Sequence, residues 1–172
     1  MASLTQREYH DALKRFDHQS RHVEMRDAYG TETELPQMAR WAAGEPDDGE
    51  WLRPYCDAVR ADAAAGRTRR RAHVVSEPLS DYHRWTHSIV GPMVDAGDDL
   101  RWVSRRLVSS IAFPGNDFYL LDDHLVVFLH YTGNGRNVDY VSSTDPHDIA
   151  LCGATFGAVW PLGIPHHEYK PD

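Results

Sequence analysis

Hydrophobic positions along this chain follow a helical period at the start, alternate or run together like strands in the middle, and return to a helical period near the end. In LTQREYHDALKRF, Leu4, Tyr9, Leu13 and Phe16 recur near the spacing of one helix face, with Glu8 and Asp11 a turn away from Lys14 and Arg15, which predicts a helix over residues 5–16. Alternation of His22, Glu24 and Arg26 with Val23 and Met25 predicts a short strand that ends before Gly30. Two more helices follow, parted by the turn-rich GEPDDG, and the second, over residues 51–65, stops at Gly66 as a left-handed cap.

From Arg69 the period shortens. RRRAHVV reads as a strand, residues 78–89 as an amphipathic helix with Leu79, Tyr82 and Trp85 on its buried stripe, and residues 100–104 as a second strand. Ser76, Pro78 and the acidic residues around them have the chemistry of a helix start, and Gly91-Pro92 interrupts the helix. A right-handed crossover makes the two strands neighbours. DFYLLDDHLVVFLHYTGNGRNVDYVSS then gives three strands: an acidic turn at Asp122-Asp123, a run over residues 125–129 apolar enough to be covered on both faces, and a hairpin at TGNG, where Asn-Gly supplies positive φ. Asp145-Pro146 resembles the cap of a last helix, from His147 to about residue 158, which Gly153 and Gly157 weaken, and WPLGIPHHEYKPD reads as an irregular tail. The fold class expected is α+β, with N-terminal helices followed by a β-α-β-β-β mixed sheet and a C-terminal helix. It is read as a single domain over residues 1–172, comprising a mainly helical lead-in (1–66), a sheet core (67–160) and the tail (161–172).

Composition narrows the partners. With 41% hydrophobic residues the chain can bury one real core, and a net charge of −8 argues against the phosphate-driven affinity of a basic nucleic-acid binder. Nucleic acid is therefore not an expected partner, whereas a basic or apolar protein surface is. No apolar run approaches the roughly 18 residues of a membrane span, and the polar start lacks the pattern of a secretory leader, so a cytoplasmic protein with no membrane association is expected. Cys56 and Cys152 are far apart and lack close-spaced metal-ligand partners, which predicts reduced, buried thiols.

Two sets of side chains carry candidate chemistry. Arg67, Arg69, Arg70 and Arg71 lead into one strand and Arg101, Arg105 and Arg106 fall on the next. If the strands are neighbours, Arg69, Arg71, Arg101 and Arg105 border a groove for an anionic group, held by paired hydrogen bonds from guanidinium. The second set is His83, His87, Asp122, Asp123, His124 and His130, which offer acid–base groups and metal ligands. His83 and His87 stand one helical turn apart, yet no HExxH pattern accompanies them; Asp122 and Asp123 read first as turn residues and His130 as a strand-end residue. His166-His167-Glu168 reads as a tail feature and the five tryptophans as core or interface anchors. No metal and no cofactor are expected.

SEPLSDY, the acidic strand entry AGDD, DFYLLDD with an apolar strand behind it, and the terminal PHHEY together resemble an actinobacterial family of unknown function, domain of unknown function 6879, over residues 16–169. The resemblance implies a small cytosolic protein encoded near helix-turn-helix regulators, and brings no catalytic residues with it. ALCGATFGAVW is richer in glycine than the family's usual C-terminal helix. DFYLLDDHLVVFLHY also resembles, more distantly, the strand–turn–strand of a phospholipase-D-like half-domain, but aligning Asp122 or Asp123 with that motif's aspartate puts Gly115 and Asp117, or Asn116 and Phe118, where its histidine and lysine belong. The function expected is thus a non-enzymatic regulatory or protein-interaction module, sensing a small anionic ligand, partnered by a transcription regulator and open to homodimer formation through the strand at residues 136–141. The alternative is a small hydrolase- or lyase-type enzyme using the His/Asp set, with or without a metal.

Overall fold

Eight strands join in one mixed sheet flanked by six α-helices in this computed structural model, which describes residues 1–171. The chain runs β1 (Ala2–Leu4), α1 (Gln6–Ala12), β2 (Gln19–Glu24), α2 (Glu34–Ala42), α3 (Arg53–Ala64), β3 (Thr68–Val75), α4 (Asp81–Ile89), α5 (Gly91–Asp95) and β4 (Asp98–Ser104). It continues through β5 (Asp117–Leu121), β6 (Leu125–Tyr131), β7 (Asn137–Ser143), α6 (Pro146–Val159) and β8 (Ile164–Pro165). Strand order is β1-β7-β6-β5-β2-β3-β4-β8; β2, β3 and β4 are mutually parallel and every other pairing is antiparallel.

Alternation along each strand sorts side chains onto two unlike faces. On one, Val23, Ala72, Val74, Val103, Phe118 and Leu120 pack with Val126 and Phe128 against Cys152, Phe156 and Val159 of α6. That helix runs unbroken through Gly153 and Gly157, because the burial of its apolar face outweighs the weak helix preference of glycine. On the other face, Val75, Leu100 and Trp102 pack beneath α3, α4 and α5, while Val127 and Leu129 pack beneath Tyr9 of α1. Between those two apolar patches the floor is polar, formed by His22 and Glu24 of β2, Arg71 and His73 of β3, and Tyr119 of β5. Cys56 and Cys152 are free and buried in separate clusters on opposite faces, and burial pushes the Cys152 thiol up to about 12.

The α+β class, the crossover from β3 through α4 to a neighbouring β4, the hairpins and the apolar β6 agree with expectation. Five features differ. The lead-in adds an unexpected strand, β1, and its expected short strand, β2, lies in the centre of the sheet rather than beside it. α1 stops at Ala12 so that Phe16 can turn inward, fully buried beneath the Arg67 and Arg69 guanidiniums. α4 begins three residues later than the hydroxyl at Ser76 suggests, because Ser76 donates its backbone N–H and its hydroxyl to Asp27 at 2.8 and 2.7 Å, leaving Ser80 to cap His83. The tail is ordered: β8 pairs with β4, and Tyr169 stacks on Trp102 with ring centroids 5.4 Å apart. The edge expected at β7 is taken by β1, whose Ala2, Ser3 and Leu4 pair with Ser142, Val141 and Tyr140.

Candidate functional site

The polar floor is organised by one guanidinium. Arg71 is half-buried and donates to Glu24 at 2.9 Å and to the Tyr55 hydroxyl at 2.6 Å, and lies 3.3 Å from Asp98; Tyr55 in turn donates to Asp98 at 2.6 Å. Glu24 also faces Nε2 of His22 at 3.0 Å and Nε2 of His73 at 3.6 Å. Burial opposes charge on Glu24, but the hydrogen bond from His22 and the Arg71 guanidinium outweigh it and hold the carboxyl well below the usual range. Burial drives His73 down to about 3, so this imidazole is neutral and Arg71 supplies the compensating charge. His22 donates from Nδ1 to the Phe118 carbonyl at 2.8 Å and stacks on Tyr119 at 3.7 Å between ring centroids.

Above this floor lies a cavity of about 760 Å³, open between α1, the Tyr29–Glu34 segment and the β6–β7 hairpin. Seven of the eight tyrosines line it. Tyr9 stacks on Tyr140 at 3.8 Å and meets the edge of Tyr119 at 6.2 Å, forming one wall. Tyr29 forms the opposite wall with Tyr131 and Tyr82, at 5.2 and 5.4 Å between ring centroids and with planes inclined by 67° and 58°. Tyr55 completes the floor. Burial raises the phenol pKa of Tyr9, Tyr29 and Tyr82 well above its ordinary value, so the walls stay neutral and hydrogen-bonding.

Close backbone contact holds the mouth in place. Gly30 donates to the Gly135 carbonyl at 2.9 Å, and a Cβ at Gly135 would come within 3.0 Å of the Gly30 nitrogen; Gly135 also has a φ of +82°, which a side chain would strain. Two glycines therefore pin the Tyr29 segment to the hairpin. From that segment Tyr29 donates to Asp117 at 2.5 Å, while Glu34 at the start of α2 accepts from Tyr82 at 2.9 Å and Thr31 at 2.6 Å. Burial raises the pKa of both carboxyls, with those hydrogen bonds working against it. The arrangement can enclose a small molecule between aromatic faces and offer it carboxylate and hydroxyl groups.

The family described as Domain of unknown function (DUF6879) matches residues 7–171. The chain belongs to that family. No curated protein matches it. For this DUF6879 member the match takes in every element that lines the cavity, from α1 to β7, except β1 and the first residue of α1.

Of the side chains proposed from sequence, only Arg71 belongs to this site, beneath its floor. Arg69 and Arg71 face the α3 side, Arg101 lies on the α6 face over Trp160 at 4.2 Å, and Arg105 stands past the end of β4 in a 3-10 turn. The four do not border one groove, because alternate residues of a strand point to opposite faces. Three of them are spent within the fold: Arg69 on Asp62, Arg71 on Glu24 and Asp98, and Arg105 on Asp27, Ser76 and the carbonyls of Met25 and Val74.

The His/Asp set is scattered too. His83 is buried beside His73, and His87 packs among Trp102, His166 and Tyr169. Asp122, with φ +48°, accepts the N–H groups of Asp17, His18 and Gln19, tying the β5–β6 turn to the entry of β2, and Asp123 pairs with Arg21. His124 is exposed beside this turn, and His130 stands at the other end of β6 on the α6 side. Among the described residues, no group of three or more His, Cys, Asp or Glu is placed to hold a metal ion. The cavity residues were missed because β2, read as half-polar, is central, and its polar half is buried under the walls. The spread of tyrosines along the chain was the available signal, but only the sheet order brings them together.

Proposed function

We propose that this protein is a non-enzymatic regulatory module that binds a small molecule in the tyrosine-lined cavity and passes the bound state to a protein partner. The cavity carries this reading: about 760 Å³ falls within the range of small-molecule sites, and aromatic walls with a few convergent polar groups are their usual lining. The position adds weight, since Glu24 ends a parallel strand and ligands of such sheets gather at strand carboxyl ends. A transducing element is close at hand in the Tyr29–Glu34 segment, which belongs at once to the cavity wall, the hairpin contact and α2. His22, the imidazole of the cavity floor, already faces an acceptor from each ring nitrogen, which favours holding a ligand over exchanging protons with it.

The wider setting belongs to the same proposal: a cytoplasmic actinobacterial protein whose partner is a helix-turn-helix regulator, on a scaffold comparable in outline to a phospholipase-D-like half-domain. No helix among the described residues is long and apolar enough to cross a membrane. A charge-diverse fragment library screened by thermal shift tests the reading. Compounds that raise the melting temperature of the wild type should lose their effect in Val138→Trp, which fills the mouth from an exposed position. If no compound of any charge acts, or if Val138→Trp changes nothing, the cavity is not a binding site.

A further inference from the structure

The residues around the cavity are unbalanced in charge. Glu24, Glu32, Glu34 and Asp139 line it, against a single guanidinium, Arg136, which is exposed on the hairpin 3.7 Å from Glu32. Glu24 is matched by Arg71 beneath it. Glu34 is not: its oxygens accept from the hydroxyls of Thr31 and Tyr82, and among the described residues no basic side chain lies within ion-pair distance of it. Asp117, just behind Tyr29, is likewise held by a hydroxyl and a backbone N–H and by no cation. A carboxylate withdrawn from water without a counter-charge is unfavourable, and an arriving cation would relieve it.

The rings around Glu34 suit the same visitor. Tyr29, Tyr82 and Tyr131 meet at steep angles, so the space between them is bounded by ring faces and edges together. Tyr29 and Tyr82 each donate their phenol proton to a carboxylate, which shifts electron density toward the ring and strengthens the negative potential of its face. One of these rings already holds a cation from within the chain: the Arg26 guanidinium lies 5.4 Å from the Tyr131 centroid. Aromatic walls with an unpaired carboxylate make the usual surroundings of a bound ammonium group.

We propose that the ligand of this cavity is an organic cation, an amine or quaternary ammonium compound, whose charged head lies between the Tyr29, Tyr82 and Tyr131 rings beside Glu34. The proposal rests on the reading of the cavity as a binding site and adds the charge of what enters it.

Three probes of nearly equal shape separate the two claims: choline, its uncharged isostere 3,3-dimethylbutanol, and the anion 3,3-dimethylbutanoate, each titrated into the wild type by calorimetry or NMR. Choline should bind about tenfold more tightly than the alcohol, and the acid more weakly than either. Glu34→Gln should bring choline down to the level of the alcohol while leaving the alcohol unchanged, and Tyr131→Leu should weaken choline independently of that carboxylate. Thermal melts of both variants check that they fold. If the alcohol or the acid binds as well as choline, the cation assignment is overturned and the binding site stands. Should none of the three bind, the fragment library decides: hits restricted to cations support the proposal, neutral or anionic hits overturn it alone, and an absence of hits overturns the binding site with it.

Discussion

The two faces of the sheet are built by alternate residues of the same strands, yet they have opposite characters. Toward α6, Val23, Ala72, Val74 and Val103 meet Cys152, Phe156 and Val159 in a dry apolar layer. Toward α1–α5, the residues between them on the same strands are His22, Glu24, Arg71 and His73, roofed by tyrosines and an open cavity. The first face can be explained entirely by the removal of apolar surface from water. The second cannot, because a layer of apolar residues would be the simpler solution to the same burial; replacing buried ion pairs with well-packed apolar groups is often neutral or stabilising. What distinguishes the second face is that its polar groups border a space a ligand can enter.

The sharpest way to break this contrast is to remove one group from each side. Arg71→Ala leaves Glu24 and Asp98 buried beside an empty place and should lower stability by about 3–5 kcal/mol in urea denaturation. Phe156→Ala should cost about 3–5 kcal/mol as well, through the cavity it opens on the dry face. The two differ in their response to acid. The loss in Arg71→Ala should shrink as pH falls and Glu24 takes up a proton, whereas the loss in Phe156→Ala should hold steady; equal pH dependence would contradict the division between the faces.

A second, smaller effect follows from His73. Burial lowers its pKa from 6.5 to about 3 in the folded protein, so between those values the unfolded chain binds a proton that the native state refuses. The sign is therefore fixed: His73 contributes full stability above about 6.5, and that contribution is lost as pH falls toward 3. His83, on α4 beside it, and His166 in the tail are also lowered by burial and act in the same direction. Unfolding free energies measured from pH 7 to 5 should fall more steeply for the wild type than for His73→Gln, by roughly 1 kcal/mol per pH unit. Parallel slopes would mean that His73 is charged in the fold.

The smallest effect is at the entrance. Thr5 caps α1 by accepting from Glu8 N–H, and Glu8 accepts from Thr5 in return, so Thr5→Ala should cost about 1 kcal/mol. Because Tyr9 on this helix forms a cavity wall, the same change should also weaken any ligand, whereas Asp145→Ala, which removes the cap of α6, should cost a similar amount of stability and leave binding untouched. Melting curves with and without ligand separate the two outcomes.

How much of this was legible beforehand follows the same division. The dry face was readable: Leu125 to Leu129 is apolar without interruption, Asn-Gly marks its hairpin, and Asp145-Pro146 starts its helix. Local signals suffice there because burial and turn chemistry act over a few residues. The cavity face was not readable, since its composition comes from pairings far apart in sequence. Glu24 belongs with Arg71 and Asp98, and Tyr29 with Asp117 and Gly135. An alternating polar strand such as β2 looks solvent-facing until the helices that cover it are placed, and a run of arginines looks like a binding patch until its carboxylate partners are found. The tail misled for the same reason, since only Trp102 on β4 explains why Tyr169 is held there.

The tyrosines themselves provide the most direct test. Seven line the cavity and Tyr169 stands apart against Trp102, so ring signals of tyrosine-labelled protein carry their own control. With a compound that raises the melting temperature, the account predicts saturable shifts of the Tyr29, Tyr82 and Tyr131 rings while Tyr169 stays in place. Shifts of Tyr169 alone, or no ring shifts at saturating ligand, would contradict it.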